Sequence, residues 1–262
     1  MRAIAVALVA LVACSTVRPD PERVEGASTA SAESKGLVPD TTLQLVVATT
    51  AEWAATAATV RLWQRARPGA SWQPVGAAWP AVVGRNGLAW GRGGHGDGPP
   101  LGRAGPRKHE GDGKSPAGLF ALGPSFGYAP TPPVGAHLPY TTATATWRCV
   151  DDPASRFYNQ LLDETTVTPD WSSHEDLRRP DELYRWVVEI QHNHDGRPGA
   201  GSCIFLHVWS GPDSSTAGCT AMAEPLLGAL LTVLDPAAQP MFVLLTAEDA
   251  RALAAPWGLP PP

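Results

Sequence analysis

The sequence predicts a mainly β domain with a few short helices. Three observations carry that expectation. Apolar, β-branched runs are short, as in Leu43 to Thr49 (LQLVVAT) and Thr59 to Gln64 (TVRLWQ). Turn formers are abundant, with 26 Gly and 27 Pro in 262 residues. Between residues 43 and 83 the alternation suits a β-meander or sandwich edge better than a helix. Hydrophobic residues reach 44% and charged ones only 17%, enough to bury a substantial core in one large domain or two small ones.

Met1 to Ala13 carries one positive charge, Arg2, and an apolar stretch too short to span a bilayer. That pattern predicts a signal peptide over residues 1–13. Leu11-Val12-Ala13-Cys14 resembles the lipobox of bacterial lipoproteins, which predicts lipidation of Cys14. Residues 14–40 are polar, Pro/Ser/Ala-rich and without hydrophobic period, so they are expected to be a flexible tether holding a domain to a membrane of the cell envelope. Ser15 stands where an aspartate would mark inner-membrane retention, which leans toward the outer membrane.

The folded part is expected over 41–262. Further strands are predicted at Ser71–Val75 and Trp79–Val83, with Pro68-Gly69 and Gly76 as turns. Gly84–Pro106 is too long for a plain connector and is expected to be a mobile insertion or a lid. Gly111-Asp112-Gly113 reads as a tight turn and Gly118–Leu122 as a strand. Phe126, Tyr128, Tyr140 and Trp147 anchor an extended Pro/Thr-rich stretch. Ser172–Leu177 looks like the capped start of a short helix, and Leu183–Gln191 alternates as a strand. Pro225–Leu234 reads as a helix with Pro in its first turn, Met241–Thr246 as a core strand and Ala247–Ala254 as a closing helix.

A net charge of −5 with no basic run argues against a nucleic-acid partner. The Gly113-Lys114-Ser115 tripeptide lacks the first glycine of a phosphate loop and leads into Pro116, so no nucleotide site is expected. Ten Trp offer flat surfaces for a β-rich core or for a saccharide or peptide groove.

Chemistry concentrates between Gly201 and Met222. A buried strand, Cys203–Trp209, delivers His207, a loop follows, and Ala217-Gly218-Cys219 sets a thiol after a glycine. One imidazole and one thiol thus lie 12 positions apart, joined by a loop long enough to fold back. A Cys–His nucleophile pair needs the base within hydrogen-bond reach of the sulfur. A free thiol is only slightly ionised at neutral pH, so His207, or the amide-rich start of the helix near Glu224, would have to activate it. Gly218 allows close backbone approach, and the N–H groups around Ala217, Gly218 and Cys219 are candidates for an oxyanion site. Trp209, Tyr128, Asn193 and Thr216 are candidate substrate contacts. In an exported protein the two remaining thiols, Cys149 and Cys203, either form a disulfide or are each a small buried hydrophobe. A zinc site from His192, His194 and His207 is disfavoured, because Asn193 and Asp195-Gly196 read as a turn and Cys219 needs His207.

At these residues the chain resembles the L,D-transpeptidase catalytic-domain family, bacterial enzymes that cross-link peptidoglycan through a cysteine thioester. The resemblance rests on His207 followed by Thr216-Ala217-Gly218-Cys219, and on Gly111 to Phe120, which is similar to the family's Gly-Lys-x-Pro-x-Gly-x-Phe segment. It covers roughly residues 41–250. It implies an L,D-transpeptidase-like β-sandwich and no metal or other cofactor. It also implies attack by Cys219 on a tetrapeptide stem, transfer to an amine of a neighbouring stem, and acylation of the cysteine by carbapenems. Two positions depart from the family: Val208 stands where many members have Gly, and Ala221 where they have Arg. Hydrolysis by the same pair, as an L,D-carboxypeptidase, and a wall-binding lipoprotein without activity are the alternatives. Papain-like enzymes and cell-wall amidases place Cys before His, and a sortase expects a wider His-to-Cys gap.

Overall fold

The structure, a computed structural model, describes residues 36–261. The predicted signal peptide, Cys14 and most of the predicted tether lie outside the described residues. Residues 36–40, expected to end that tether, belong to the folded part: Val38 is buried and its N–H donates to the Trp257 carbonyl at 2.8 Å. Burial of Val38, with Leu37 left at the surface, anchors this end of the stretch.

The fold is mainly β, built around a barrel-like sheet. The first strands are β1 (Gln44–Thr50), β2 (Ala57–Gln64) and β3 (Gln73–Val82). Strand β3 joins the two runs expected as separate strands, and a bulge in β3 sets Gly76, Ala77 and Ala78 opposite the single Arg61 of β2. The stretch expected to be a mobile insertion or a lid is packed in its first part and exposed around Leu101. It carries β4 (Leu88–Trp90), β5 (Arg92–Gly93) and β6 (Gly96–Asp97), and Leu88, Ala89 and Trp90 are buried. Next come β7 (Ser115–Gly127), β8 (Tyr140–Thr142), β9 (Trp147–Val150), β10 (Leu161–Asp163) and β11 (His174–Asp176). The predicted helix at Ser172–Leu177 is therefore a strand. Pairing of β11 with β9 overrides the local capping signal there. The chain closes with β12 (Val187–Ile190), β13 (Phe205–Val208), β14 (Thr220–Met222), α1 (Glu224–Val233), β15 (Met241–Thr246) and α2 (Ala247–Trp257).

Among the described residues, eight strands close into a ring in the order β12-β13-β14-β3-β2-β1-β15-β7, with β7 pairing back onto β12. Closure satisfies both edges of every ring strand. The main core gathers Val46, Phe120, Leu206, Phe242 and Leu244, with Leu227, Leu230 and Leu231 of α1.

A second, smaller sheet, β10-β9-β11, is tied to the ring by the Cys149–Cys203 disulfide, with Cα atoms 5.9 Å apart. The two spare thiols do pair. Beneath this cap sits a second apolar cluster containing Phe126, Tyr184, Phe205 and Cys219.

Candidate active site

Strand β13 divides the two clusters. It runs parallel to β14, with Leu206 opposite Thr220 and His207 opposite Ala221. Side chains alternate along each strand, so Leu206 and Val208 enter the main core while Phe205 and His207 face the cap. One step before Thr220, Cys219 falls on that same cap face. The imidazole and the thiol are therefore diagonal neighbours on one sheet face, each only 6% exposed.

The turn that presents Cys219 is braced by its own loop and by the upstream motif. Thr216 Oγ1 donates to the Cys219 carbonyl at 2.7 Å and accepts the Gly218 N–H at 3.1 Å. Ser115 Oγ donates to the same carbonyl at 2.8 Å and accepts the Gly84 N–H at 2.9 Å. Any Cβ at position 218 would sit 3.2 Å from both Ile204 Cδ1 and the Lys114 carbonyl, so glycine fits this position best. The two motifs, about a hundred residues apart in sequence, meet here. Because Gly218 N–H is already committed to Thr216, it is not a free oxyanion donor. Strand β14 also stands between Cys219 and α1, so the helix start does not follow the thiol directly.

Cys219 is the one free cysteine among the described residues. Its sulfur accepts the Phe205 N–H at 3.3 Å and donates to the Cys203 carbonyl at 3.5 Å, rather than bonding to the imidazole. Burial, followed by the Glu175 charge, pushes the thiol pKa well up, against the Phe205 amide, the Tyr184 hydroxyl and Lys108. Burial lowers His207 to about 4. At neutral pH the pair is thus a thiol and a neutral imidazole. The Val208 carbonyl lies 2.7 Å from His207 Nδ1, so Nδ1 carries the proton and Nε2 is the basic nitrogen. Tyr184 packs edge-on to His207 with ring centroids 5.1 Å apart, and its hydroxyl donates to Glu175 at 2.9 Å.

Both residues line a cavity of about 350 Å³. Its wall carries three cations, Arg85, Lys108 and Arg179, and three carboxylates, Glu110, Asp151 and Glu175. Lys108 is held at 2.5 Å from Asp112 inside the predicted Gly111–Gly113 turn. Of the sequence candidates, Trp209, Thr216, Ala217 and Gly218 line this cavity. Asn193 does not. It is buried at a φ of 51°, and its side chain locks a turn through Arg197 and Gly201. Tyr128 does not either, being engaged with Glu182 at 2.9 Å. Their polarity serves the backbone and the surface, which residue type alone does not distinguish from ligand binding. His192 likewise serves the backbone: Nδ1 accepts the Arg92 N–H and Nε2 meets the Ala200 carbonyl. Sequence inspection missed Glu175, Tyr184, Lys108 and Arg179. Only Ser115, inside the Gly-Lys-x-Pro segment, carried a local signal.

Comparison with known proteins finds no matching family model, no matching curated protein and no matching solved structure.

Proposed function

We propose that this chain is a cysteine acyltransferase of the L,D-transpeptidase kind, acting on peptidoglycan tetrapeptide stems. The supporting observation is the placement of His207 and Cys219 as same-face neighbours at one mixed-charge cavity, with Nδ1–H fixed by a carbonyl and Nε2 left basic. On this proposal the closed ring is a flattened form of the family's β-sandwich. The disulfide fits an oxidising compartment, in keeping with export and a lipid at Cys14.

Catalysis starts from the neutral pair. A rotation of the Cys219 side chain swings the sulfur from the Cys203 carbonyl toward Nε2, a tightening expected on substrate binding. Nε2 takes the thiol proton as sulfur attacks the carbonyl of the third stem residue. The Cys219 N–H and the Lys108 ammonium stabilise the oxyanion. The imidazolium gives its proton to the departing D-Ala amine, leaving a thioester. An amine of a second stem then attacks, its proton passing to Nε2, and the thiolate leaves and is reprotonated. Arg85 and Arg179 take the donor carboxylate in place of the arginine that Ala221 lacks.

Incubation of the folded domain with tetrapeptide muropeptides, read by mass spectrometry, tests this. Cross-linked dimers with loss of one D-Ala are expected. Tripeptide stems alone would assign hydrolysis, and unchanged substrate with folded protein would overturn the proposal.

A further inference from the structure

The cap sheet contributes one group to the thiol's surroundings that the reaction above leaves unused. Glu175 lies opposite Cys149 in the β9–β11 register, so the disulfide that reaches Cys203 carries this carboxylate to the cavity wall. Its Oε2 accepts the Tyr184 hydroxyl at 2.9 Å. Tyr184 is buried, packs on His207 and Phe205, and lies under the Arg179 guanidinium at 5.2 Å. It lines the same cavity as Cys219 and packs on Phe205, whose N–H reaches the sulfur at 3.3 Å, yet its hydroxyl proton goes to Glu175.

We propose that Glu175 is a positioning residue for Cys219, holding the Tyr184 hydroxyl proton away from the sulfur while ionised and releasing it to the sulfur when protonated. In the ionised state the Tyr184 O–H points at the carboxylate, and a second negative charge at sulfur is repelled. When Glu175 takes a proton from solvent, its own O–H donates to the Tyr184 oxygen. The Tyr184 O–H then turns to the thiolate, so one proton taken up exchanges the donor at two oxygens and removes one charge.

The groups facing Glu175 are Tyr184, Cys219, Asp151, Glu110 and Arg179, while its strand neighbours His174 and Asp176 pair with each other at 3.5 Å. Burial is the largest influence and raises the carboxyl. The Tyr184 hydrogen bond and Arg179 oppose that rise, Asp151 and Glu110 add to it, and the outcome is about 7. The exchange thus falls near neutral pH.

This role deepens the thiol chemistry proposed above, and it is tested without any peptidoglycan substrate. The rate of iodoacetamide alkylation at Cys219 of the full chain, followed by mass spectrometry with peptide mapping from pH 5 to 9, reports the thiolate directly. The wild-type logarithmic rate should rise with pH, flatten near Glu175's titration, and rise again. Glu175→Gln, whose amide mimics the protonated acid, should match wild type at pH 5, lose the flattening, and react roughly tenfold faster at pH 9. Tyr184→Phe should shrink the flattening. A wild-type profile with a single slope overturns the proposal even if neither variant folds. So does a Glu175→Gln profile superimposed on wild type. A flattening that survives intact in Tyr184→Phe overturns the routing through the tyrosine. If muropeptides are left unchanged while the alkylation profile behaves as described, the transpeptidase proposal falls and the role of Glu175 stands.

Discussion

His207 and His192 are both buried, both neutral and both pressed against an aromatic ring, yet they differ in how many ring nitrogens the backbone occupies. His192 spends both nitrogens on the backbone, between Arg92 and Ala200, and packs edge-on to Phe120 at 5.7 Å. His207 spends one nitrogen on Val208 and leaves the other beside a cavity that also holds a thiol. Full satisfaction makes a polar group structural. Half satisfaction at a cavity makes it available.

The largest expected effect breaks this contrast directly. His207→Ala should slow carbapenem acylation of Cys219 by about 10²- to 10⁴-fold at pH 7, the usual range for a lost general base. His192→Ala should leave acylation of the folded protein within a few-fold of wild type. It should instead destabilise by roughly 2–4 kcal/mol, because it strands the Arg92 N–H and the Ala200 carbonyl. Acylation rates by intact mass, with denaturant midpoints in parallel, separate the two. Equal losses of rate in both variants would abolish the distinction.

Next in size is the staple that sets the thiol's surroundings. Cys149 and Cys203 are 54 positions apart, and Cys203 has a φ of 56°, a left-handed conformation that non-glycine residues seldom adopt. The Asn159 side chain accepts the Cys203 N–H at 2.9 Å and helps to hold it there. In the chain-entropy account a loop of that size stabilises by about 4 kcal/mol. Cys149→Ala should therefore lower the unfolding free energy by an amount of that order. It should also leave the carbapenem adduct on Cys219, only more slowly formed.

How much of this was legible in the chain depended on range. The β-rich core, α1, α2 and the His207–Cys219 pair announced themselves through short apolar runs, a proline at a helix start, and spacing. The cap strand at His174–Asp176 did not, because its Ser-Ser-His-Glu-Asp residues favour a helix start until β9 pairs with them. Glu175 went unseen with it. Asn193 and Tyr128 were overestimated because a polar side chain bonded to the backbone looks, in sequence, the same as one waiting for a ligand. The ring closure of β7 onto β12 is a pairing over about 65 positions, which no local pattern encodes.

Acid sharpens the histidine comparison from the side of stability. Burial holds His207 at about 4 and His192 at about 3, both below the ordinary value of 6.5. Below pH 6.5 the unfolded chain takes up protons that the folded chain refuses, so stability falls as pH drops from 6.5 through those folded values. For His207 the loss is roughly 3 kcal/mol once pH is below 4. Glu175 works in the opposite direction. Raised to about 7, it contributes stability that is full below its unfolded value near 4.5 and is lost as pH rises through 7. Unfolding free energies between pH 7 and 4 should fall less steeply in wild type than in Glu175→Gln, which lacks that offset. Parallel slopes would mean that Glu175 does not bind its proton in this range.

The smallest effect concerns the junction of the two motifs. Ser115 is fully buried, and its hydroxyl is the only side-chain link between the Gly-Lys-x-Pro segment and the Cys219 carbonyl among the described residues. Removing it by Ser115→Ala leaves the Gly84 N–H unpaired and deprives the Cys219 carbonyl of one of its two hydroxyl donors, since Thr216 still supplies the other. The cost should be about 1–2 kcal/mol. The turn that carries the thiol should loosen without losing its chemistry, so acylation should slow several-fold with an unchanged pH profile. Ser115→Thr adds a methyl group at a site with no exposure, so it should restore neither quantity fully. A Ser115→Ala protein as stable and as fast as wild type would show that Thr216 alone fixes the Cys219 carbonyl, and that the upstream motif reaches the site for some other purpose.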